Sequence, residues 1–295
     1  MLSSDINIFS ITRRTGRPLI LDGAMGSLLQ EKQKSKEALW MSYLNIENPG
    51  AVLKVHKDYI KAGADIITTN TFRTNPAAVK RNNEYSSRFI VKKALDIAVT
   101  AVKNTPVLIA GSNPPAEDCY QTERTLTFNK LFLNHSRHIK YLLKKGSHFI
   151  LNETQSHFDE IRIICRFCSH NKIPFVISLY FDADLKILSG EKLGDVIKYI
   201  LKYNPLAIGF NCIKPETFLK FFNRNKFDYN WGIYFNCGKG EVSGENLACG
   251  VSPEEYADYA KQFLLKSPSF IGACCGSSPQ HINELKRVLD ARIYN

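Results

Sequence analysis

Three cysteines carry the most specific chemistry that this sequence offers: Cys212 and the adjacent pair Cys274-Cys275. Thiolates are soft ligands that suit zinc, which favours four tetrahedral positions, and three protein sulfurs leave the fourth open to a substrate. A free thiol has a pKa of about 8.5 and is mostly protonated at neutral pH, whereas a metal-bound thiol is deprotonated. Such a site therefore turns a substrate thiol into a nucleophile. Spacing alone leaves a second reading equally open. Free cysteine is among the most buried residue types, adjacent cysteines arise without a metal, and no CxxC pair frames these three.

The elements that must position these residues repeat one unit along the chain. Short runs rich in β-branched and aromatic residues read as strands over 18–24, 64–71, 106–112, 147–154, 174–181, 205–212, 230–237 and 267–275. Most are nearly continuous apolar runs, such as Ile66-Ile67 and Phe175-Val176-Ile177, which suits parallel strands buried on both faces. Helical periodicity lies between them, with Val52, Val55, Tyr59 and Ile60 before Gly63, and Leu131, Ile139, Leu142 and Leu143 before Gly146. Ser252-Pro253-Glu254-Glu255 has the form of a capping box with a proline at the first helical position, and Ser278-Pro279 repeats its first two members. About eight strand–helix units predict a single (β/α)8 TIM-type barrel over 1–295, with 1–17 as an N-terminal extension. A doubly wound open sheet is the alternative, but the Gly-rich phosphate fingerprint of that fold is missing.

In such a barrel the active site lies at the C-terminal ends of the strands. Those ends read Asp22-Gly23-Ala24, Thr69-Asn70-Thr71, Asn152-Glu153-Thr154, Asn211-Cys212, Asn236-Cys237-Gly238 and Cys274-Cys275-Gly276. Strands six and eight are separated only by strand seven, so the three cysteines can converge at one mouth.

Composition narrows the partners. Lys and Arg number 39 against 28 Asp and Glu, a formal charge of +11. The basic residues, among them Arg13, Arg14, Lys80, Arg81, Lys92, Lys93, Lys144 and Lys145, are scattered and form no block or nucleic-acid-binding fingerprint. They read as solvated helix faces, with no nucleic acid as partner. No run approaches the roughly 18 apolar residues of a membrane span, and the first residues contain no apolar stretch of signal-peptide length. The eight cysteines have irregular spacing and give no disulfide framework, which fits a reducing, cytoplasmic setting.

With these residues in view, the chain resembles the homocysteine S-methyltransferase family. The resemblance is carried by Asp22-Gly23-Ala24-Met25-Gly26, Ala62-Gly63-Ala64-Asp65 with Thr69-Asn70-Thr71-Phe72, Glu153-Thr154, Gly209-Phe210-Asn211-Cys212, and Gly272-Ala273-Cys274-Cys275-Gly276 with Pro279-Gln280-His281-Ile282. It runs from about Pro18 to the last helix. It implies a (β/α)8 barrel whose Zn2+ is held by Cys212, Cys274 and Cys275, with Asn236 matching an asparagine that can fill the fourth position. It implies homocysteine as methyl acceptor and a small methyl donor, with methionine as product. It also places Asp22 and Glu153 against the substrate ammonium; rim carboxylates that cap helix N-termini are the plainer reading of the same two residues. The substrate carboxylate falls to backbone N–H groups at Gly23 and Ala24, or to Thr71. With no cobalamin-binding segment and no second barrel for folate, S-methylmethionine or S-adenosylmethionine is the expected donor, and betaine stays open.

Several features depart from the family pattern or drop out. After strand three the chain reads Gly111-Ser112-Asn113-Pro114-Pro115-Ala116-Glu117-Asp118-Cys119-Tyr120 in place of a Gly-Pro turn, which points to a different donor side and puts Tyr120 near the pocket. Cys237 stands where Ser or Ala is commoner, and a fourth thiolate there would close the zinc site. That closed site is the mark of a non-catalytic zinc-binding regulatory barrel, the alternative from another class; methylation of another thiol or selenol, such as selenocysteine, is the alternative within the same chemistry. Cys165-x-x-Cys168 falls within a helix and reads as coincidental, as do His135 and His138. The aromatic stretch Phe218, Phe221, Phe222, Phe227, Tyr229 and Trp231 reads as helix-to-barrel packing.

Overall fold

The computed structural model describes residues 16–30, 39–80, 85–144, 146–237 and 250–291. Eight strands run through them: β1 (Leu19–Ile20), β2 (Ile66–Thr68), β3 (Leu108–Asn113), β4 (Phe149–Gln155), β5 (Phe175–Leu179), β6 (Ala207–Asn211), β7 (Trp231–Phe235) and β8 (Phe270–Ala273). Each pairs in parallel with its sequence neighbour from β2 to β8, and β8 pairs with β1. The seam between β1 and β2 is closed by a parallel bridge of Leu21 with Ile66. There Asp65 N donates to Ile20 O at 2.8 Å and Asp22 N to Ile66 O at 2.9 Å. The result is the (β/α)8 barrel that the repeating unit predicts.

After β1 the chain forms α1 (Met25–Gln30), α2 (Leu44–Glu47) and α3 (Pro49–Ala62), and after β2 it forms α4 (Pro76–Lys80) and α5 (Ser87–Val102). One helix follows each later strand: α6 (Phe128–Leu143), α7 (Phe158–His170), α8 (Leu193–Leu201), α9 (Pro215–Arg224), α10 (Pro253–Phe263) and α11 (Pro279–Ala291). The signals at their ends act as the sequence suggests. Gly63 takes φ 107° past α3, and Ser252 with Glu255 forms a complete capping box on α10. Gly146 follows α6 at φ 126°, and Pro279 opens α11.

Strand residues alternate between two apolar environments. Leu19, Leu21, Ile66, Ala110, Phe149, Leu151, Val176, Ala207, Tyr234 and Phe270 form one cluster inside the barrel. Their neighbours Ile20, Ile67, Ile109, Ile150, Ile177, Ile208, Ile233 and Ile271 join the larger cluster shared with the helices. Both faces are therefore apolar, which is why the strands read as continuous runs. The interior is tight: a Cβ on Gly232 would lie only 2.4 Å from the Phe270 ring.

Two strands are shorter than the sequence suggests. The run 64–71 pairs only over Ile66–Thr68, because the chain leaves α3 through left-handed Gly63 and turns after Thr68, with Thr71 N bonded to Thr69 O at 2.8 Å. The run 267–275 pairs only over Phe270–Ala273, since Ser267 ends the preceding turn at φ 48°.

The aromatic stretch does pack helix to barrel. Phe218 of α9 lies 5.9 Å from Trp231 and 5.0 Å from Phe263, and Phe227 lies 4.3 Å from Trp231 between ring centroids. Cys165 and Cys168 are both buried on α7 in the main core. Among the described residues no helix is long and apolar enough to cross a membrane. Arg13, Arg14, Arg81, Lys145, Gly238 and positions 1–15 of the expected extension lie outside the described residues. Arg17 ties the barrel's first strand to Asp65 at 2.6 Å and to Asp290 at 3.1 Å.

Candidate active site

The three cysteines come together at the C-terminal mouth. Cys212 Sγ lies 2.8 Å from Cys274 Sγ, which lies 3.9 Å from Cys275 Sγ, and all three sulfurs fall within 4.8 Å of one another. Local backbone geometry aims them. Cys212 leaves β6 at φ 57° and Thr154 sits in β4 at φ 52°, both in the left-handed region that non-glycine residues occupy at a cost. Asn211 fixes the pair. Its Oδ1 accepts from Thr154 N at 3.0 Å, while its Nδ2 donates to Thr154 Oγ1 at 2.8 Å and to Cys212 Sγ at 3.4 Å.

The electrostatics of this cluster favour a cation. Hydrogen bonds from the Cys274 and Cys275 thiols, with a further one from Thr154, hold the Cys212 thiol well below the ordinary cysteine range despite its burial. The hydrogen bonds that Cys274 and Cys275 give to Cys212, with burial and the Cys212 charge adding, in turn push both of them up. Three sulfurs competing for protons, Cys212 buried and Cys274 and Cys275 half-buried, are a soft donor set that a divalent ion would relieve. Behind the cluster Asn236 Nδ2 donates to Cys212 O at 3.2 Å, and its buried Oδ1 has no hydrogen-bond partner. The donor set thus fits a metal with three thiolates and a position to spare.

Beside the sulfurs lies a cavity of about 350 Å³, at the lower end of the range for small-molecule sites. Asp22 and Glu153 line it, as do Gly23 and Ala24. Asp22 accepts from Thr68 N at 2.8 Å and from Thr68 Oγ1 at 3.1 Å, and burial raises its pKa well above the carboxylate range, with the Glu153 charge adding to the rise. Glu153 accepts a short hydrogen bond from Ser112 Oγ. Burial, helped by the negative charge of Cys212, pushes its pKa up to about 7 against that bond. Two carboxylates short of positive partners line one cavity.

The other sequence candidates separate. Gly23 is hemmed in, since a Cβ would meet Ser277 Oγ at 2.6 Å and the Tyr59 hydroxyl at 2.7 Å. The Ala24 N–H is engaged by Ser277 Oγ at 2.9 Å. Thr71 is fully buried away from the cavity lining, with its hydroxyl on Ser112 O at 2.7 Å. Tyr120 does line the cavity. Cys237 does not join the sulfur trio among the described residues: it lies in the helix-side core, and its N–H donates to Cys275 O at 3.0 Å. His135 and His138 sit in a buried network, His135 on Glu160 at 2.8 Å and His138 on Thr74 at 2.9 Å.

Sequence reasoning did not single out Trp40 or Arg73, and it quoted Phe72 only within a family motif; all three line the cavity. Arg73 lies four residues after Thr69 at the end of a recognised strand, so its position on the rim was within reach. Trp40 belongs to an excursion between β1 and α3 that no periodic signal marks.

Comparison with known proteins places this architecture. The sequence profile of the homocysteine S-methyltransferase family matches residues 19–289. Homocysteine S-methyltransferase of Escherichia coli is 26% identical over 296 residues, covering 91% of this chain and 94% of that protein. The metallated crystal form of the E. coli homocysteine methyltransferase MmuM superposes with a TM-score of 0.77 at 24% identity, covering 94% of this chain and 98% of the other. Its apo form gives 0.70 at the same identity over 92% and 95%. At that identity the superpositions speak for the fold, and the profile for the lineage: the chain belongs to the homocysteine S-methyltransferase family.

Proposed function

We propose that this S-methyltransferase transfers a methyl group from a small sulfonium donor, S-methylmethionine or S-adenosylmethionine, to the thiol of homocysteine, forming methionine, with zinc held by Cys212, Cys274 and Cys275. The observation that carries the reading is the convergence of three sulfurs within 4.8 Å beside a cavity walled by two carboxylates short of positive charge. When bound, zinc supplies Lewis acidity that keeps a substrate thiol deprotonated at neutral pH. The chain's own residues orient that thiol. Asp22 and Glu153 take the substrate ammonium, whose charge offsets the burial and, to a lesser degree, the Glu153 repulsion that raise the Asp22 pKa. Gly23 packs the cavity wall tightly against Tyr59 and Ser277, because a side chain there would strike both. Asn236 holds the Cys212 carbonyl through its Nδ2.

The transfer itself is a displacement at carbon. A lone pair of the substrate sulfur forms the new S–CH3 bond as the donor's C–S bond breaks, and the departing pair leaves the donor sulfur neutral. No proton moves at the methyl carbon, so orientation and exclusion of water are the main tasks left to the protein. The position of Cys237 outside the trio disfavours the closed four-sulfur regulatory barrel.

The test is a methylation assay with homocysteine and each donor, before and after chelation and zinc readdition, with metal content measured in parallel. Methionine formation lost on chelation and restored by zinc is the expected result. No methionine with any donor from zinc-loaded protein would overturn the choice of acceptor; a selenocysteine arm in the same assay then reads the alternative acceptor.

A further inference from the structure

Basic residues that are scattered along the sequence gather in space. Helices α5 and α6 are neighbours on the outside of the barrel and carry Arg88, Lys92, Lys93, Lys130, Arg137 and Lys140. Their one exposed-side acid, Asp96, is tied to Lys92 at 2.9 Å. Arg88, Lys130 and Arg137 are exposed and form no ion pair among the described residues. Elsewhere the balance differs. On α10, Glu254, Glu255 and Asp258 stand against Lys261, and on α11 Glu284 and Asp290 are matched by Arg287 and Lys286. The positive charge is therefore uneven around the barrel.

The same two helices expose apolar side chains. Phe89, Val99, Phe128, Phe132 and Leu133 all face water, and of the large hydrophobic residues exposed among the described ones only Leu265 lies elsewhere. Phe128 keeps 54% of its exposure and Leu133 46%, values at which neither belongs to the core. Along α6, Leu133, Arg137 and Lys140 follow one stripe at helical spacing. Lys93 Nζ lies 5.6 Å from the centre of the Phe89 ring, so cation and ring share one level of the surface.

We infer that the α5–α6 face is a docking surface for an anionic lipid bilayer, with its phenylalanines and Leu133 entering the headgroup layer while the surrounding cations meet the lipid anions. The excess of cations sets the sign of the partner. The apolar residues set its kind. Nucleic acid offers bases for exposed rings to stack on but nothing for Leu133 and Val99, whereas the boundary between headgroups and acyl chains takes phenylalanine, leucine and lysine together. Two helices on the outside of a barrel also make a convex ridge, which a bilayer accommodates by parting its headgroups and which a rigid acidic protein would have to match in shape. The contact is peripheral and reversible, because salt screens the attraction and only a few side chains insert. Phe89 and Phe128 stand in the first turns of their helices, on the mouth side of the barrel, so docking brings the rim of the mouth toward the lipid. None of these residues lines the cavity, and the inference is independent of the methyl-transfer reading.

The test is sedimentation with vesicles at about 0.1 M salt, using phosphatidylcholine alone and phosphatidylcholine with about 30% phosphatidylserine. The protein should bind the anionic vesicles at least about tenfold more tightly than the neutral ones. Lys130→Glu with Arg137→Glu should weaken that binding about tenfold or more, and Phe128→Ser with Leu133→Ser about fivefold or more, with thermal melts showing both to be folded. A third variant, Phe128→Trp, should move its emission to the blue on anionic vesicles, relative to wild type, as the indole leaves water. No binding to anionic vesicles, equal binding to both kinds, a charge variant without effect, or a Phe128→Trp emission that vesicles leave unchanged overturns the docking surface. Loss with the charge variant alone marks an electrostatic face suited to an acidic protein or nucleic acid and overturns the lipid assignment. So does tighter binding of duplex DNA than of the vesicles at the same salt. Oligomers in solution that the same variants dissolve assign the face to a second copy and overturn it as well.

Discussion

Asn211 and Thr154 grip each other across the barrel mouth through two hydrogen bonds, 3.0 Å from Thr154 N to Asn211 Oδ1 and 2.8 Å from Asn211 Nδ2 to Thr154 Oγ1. They stand on β6 and β4, and each borders or occupies a left-handed position: Thr154 itself and Cys212 next to Asn211. The grip therefore holds two strained turns at once and aims the Cys212 sulfur. Asn211→Ala should lower stability by about 2 kcal/mol through the buried groups left unpaired. It should also weaken metal affinity by about 10–100-fold, as loss of a residue that orients a ligand does. Thermal melts and competition with a chromogenic chelator measure the two effects; unchanged metal affinity would show that the grip serves the fold alone.

The placement of Cys237 in the helix-side core makes a paired test. Cys212→Ala should abolish stoichiometric metal and reduce methyl transfer about thirtyfold or more at pH 7, because a reacting thiol then stays mostly protonated. Cys237→Ala should keep both metal and activity and cost about 1 kcal/mol for the small cavity that it leaves. Elemental analysis beside kinetics decides between them. Metal lost from the Cys237 variant would mean that its sulfur joins the site.

Glu153 gives a pH signature. Its pKa is pushed up to about 7, above the ordinary 4.5, so the folded state binds the extra proton between those values. Stability from this group is full below about pH 4.5 and declines as pH rises through 7, by up to roughly 3 kcal/mol. Glu153→Gln should therefore flatten the fall of Tm between pH 5 and pH 8. Ligand binding runs the other way. An ammonium needs the ionised carboxylate, so wild type should bind methionine, a thiol-free amino acid, more weakly as pH falls below 7, and the variant should lose that dependence. Parallel slopes for variant and wild type would remove Glu153 from ammonium recognition.

The loop between β3 and α6, which carries Asp118 and Tyr120, is anchored from behind by Glu160 of α7. That carboxylate accepts from Ala116 N at 2.6 Å and from His135 Nε2 at 2.8 Å, and it pairs closely with Arg124. Although burial opposes the charge, His135 and Arg124 hold the Glu160 pKa down to about 2. Its contribution is present above pH 4.5 and fades as pH falls toward 2. Glu160→Gln should destabilise the protein by about 3 kcal/mol at pH 7, since Arg124 loses a buried partner, and the gap from wild type should narrow on acidification. Denaturant melts at pH 7 and pH 3 check both statements; a gap that does not depend on pH would assign the loss to packing.

The barrel was legible because its strands are buried on both faces and its helices start and stop on strong local signals, such as Gly63 and the Ser252–Glu255 box. The cysteine trio was legible as candidates, and the fold supplied the distance between them. Thr71 and Ala24 show the limit: both stand beside a strand mouth in the sequence, yet the hydroxyl of one and the N–H of the other are already committed to Ser112 and Ser277. Partners so remote in the chain leave no periodic trace. Trp40 was hidden for a related reason, since a rim is built from irregular segments whose side chains face inward only once the barrel closes; Arg73 follows a recognised strand end, but its partner does not show in the sequence. Arg73 meets Asp118 from 45 positions away.

The seam where the barrel closes runs through Asp22. Its N–H bonds to Ile66 O, and its carboxylate takes both the N–H and the hydroxyl of Thr68, so one residue supplies several of the links between the first strand and the second. A machine whose clasp doubles as its handle cannot have the two redesigned separately. Any change at Asp22 meant to admit a different substrate also loosens the first strand, and tolerance to new chemistry at this position is set by how firmly Arg17 and Asp65 hold the same seam from below.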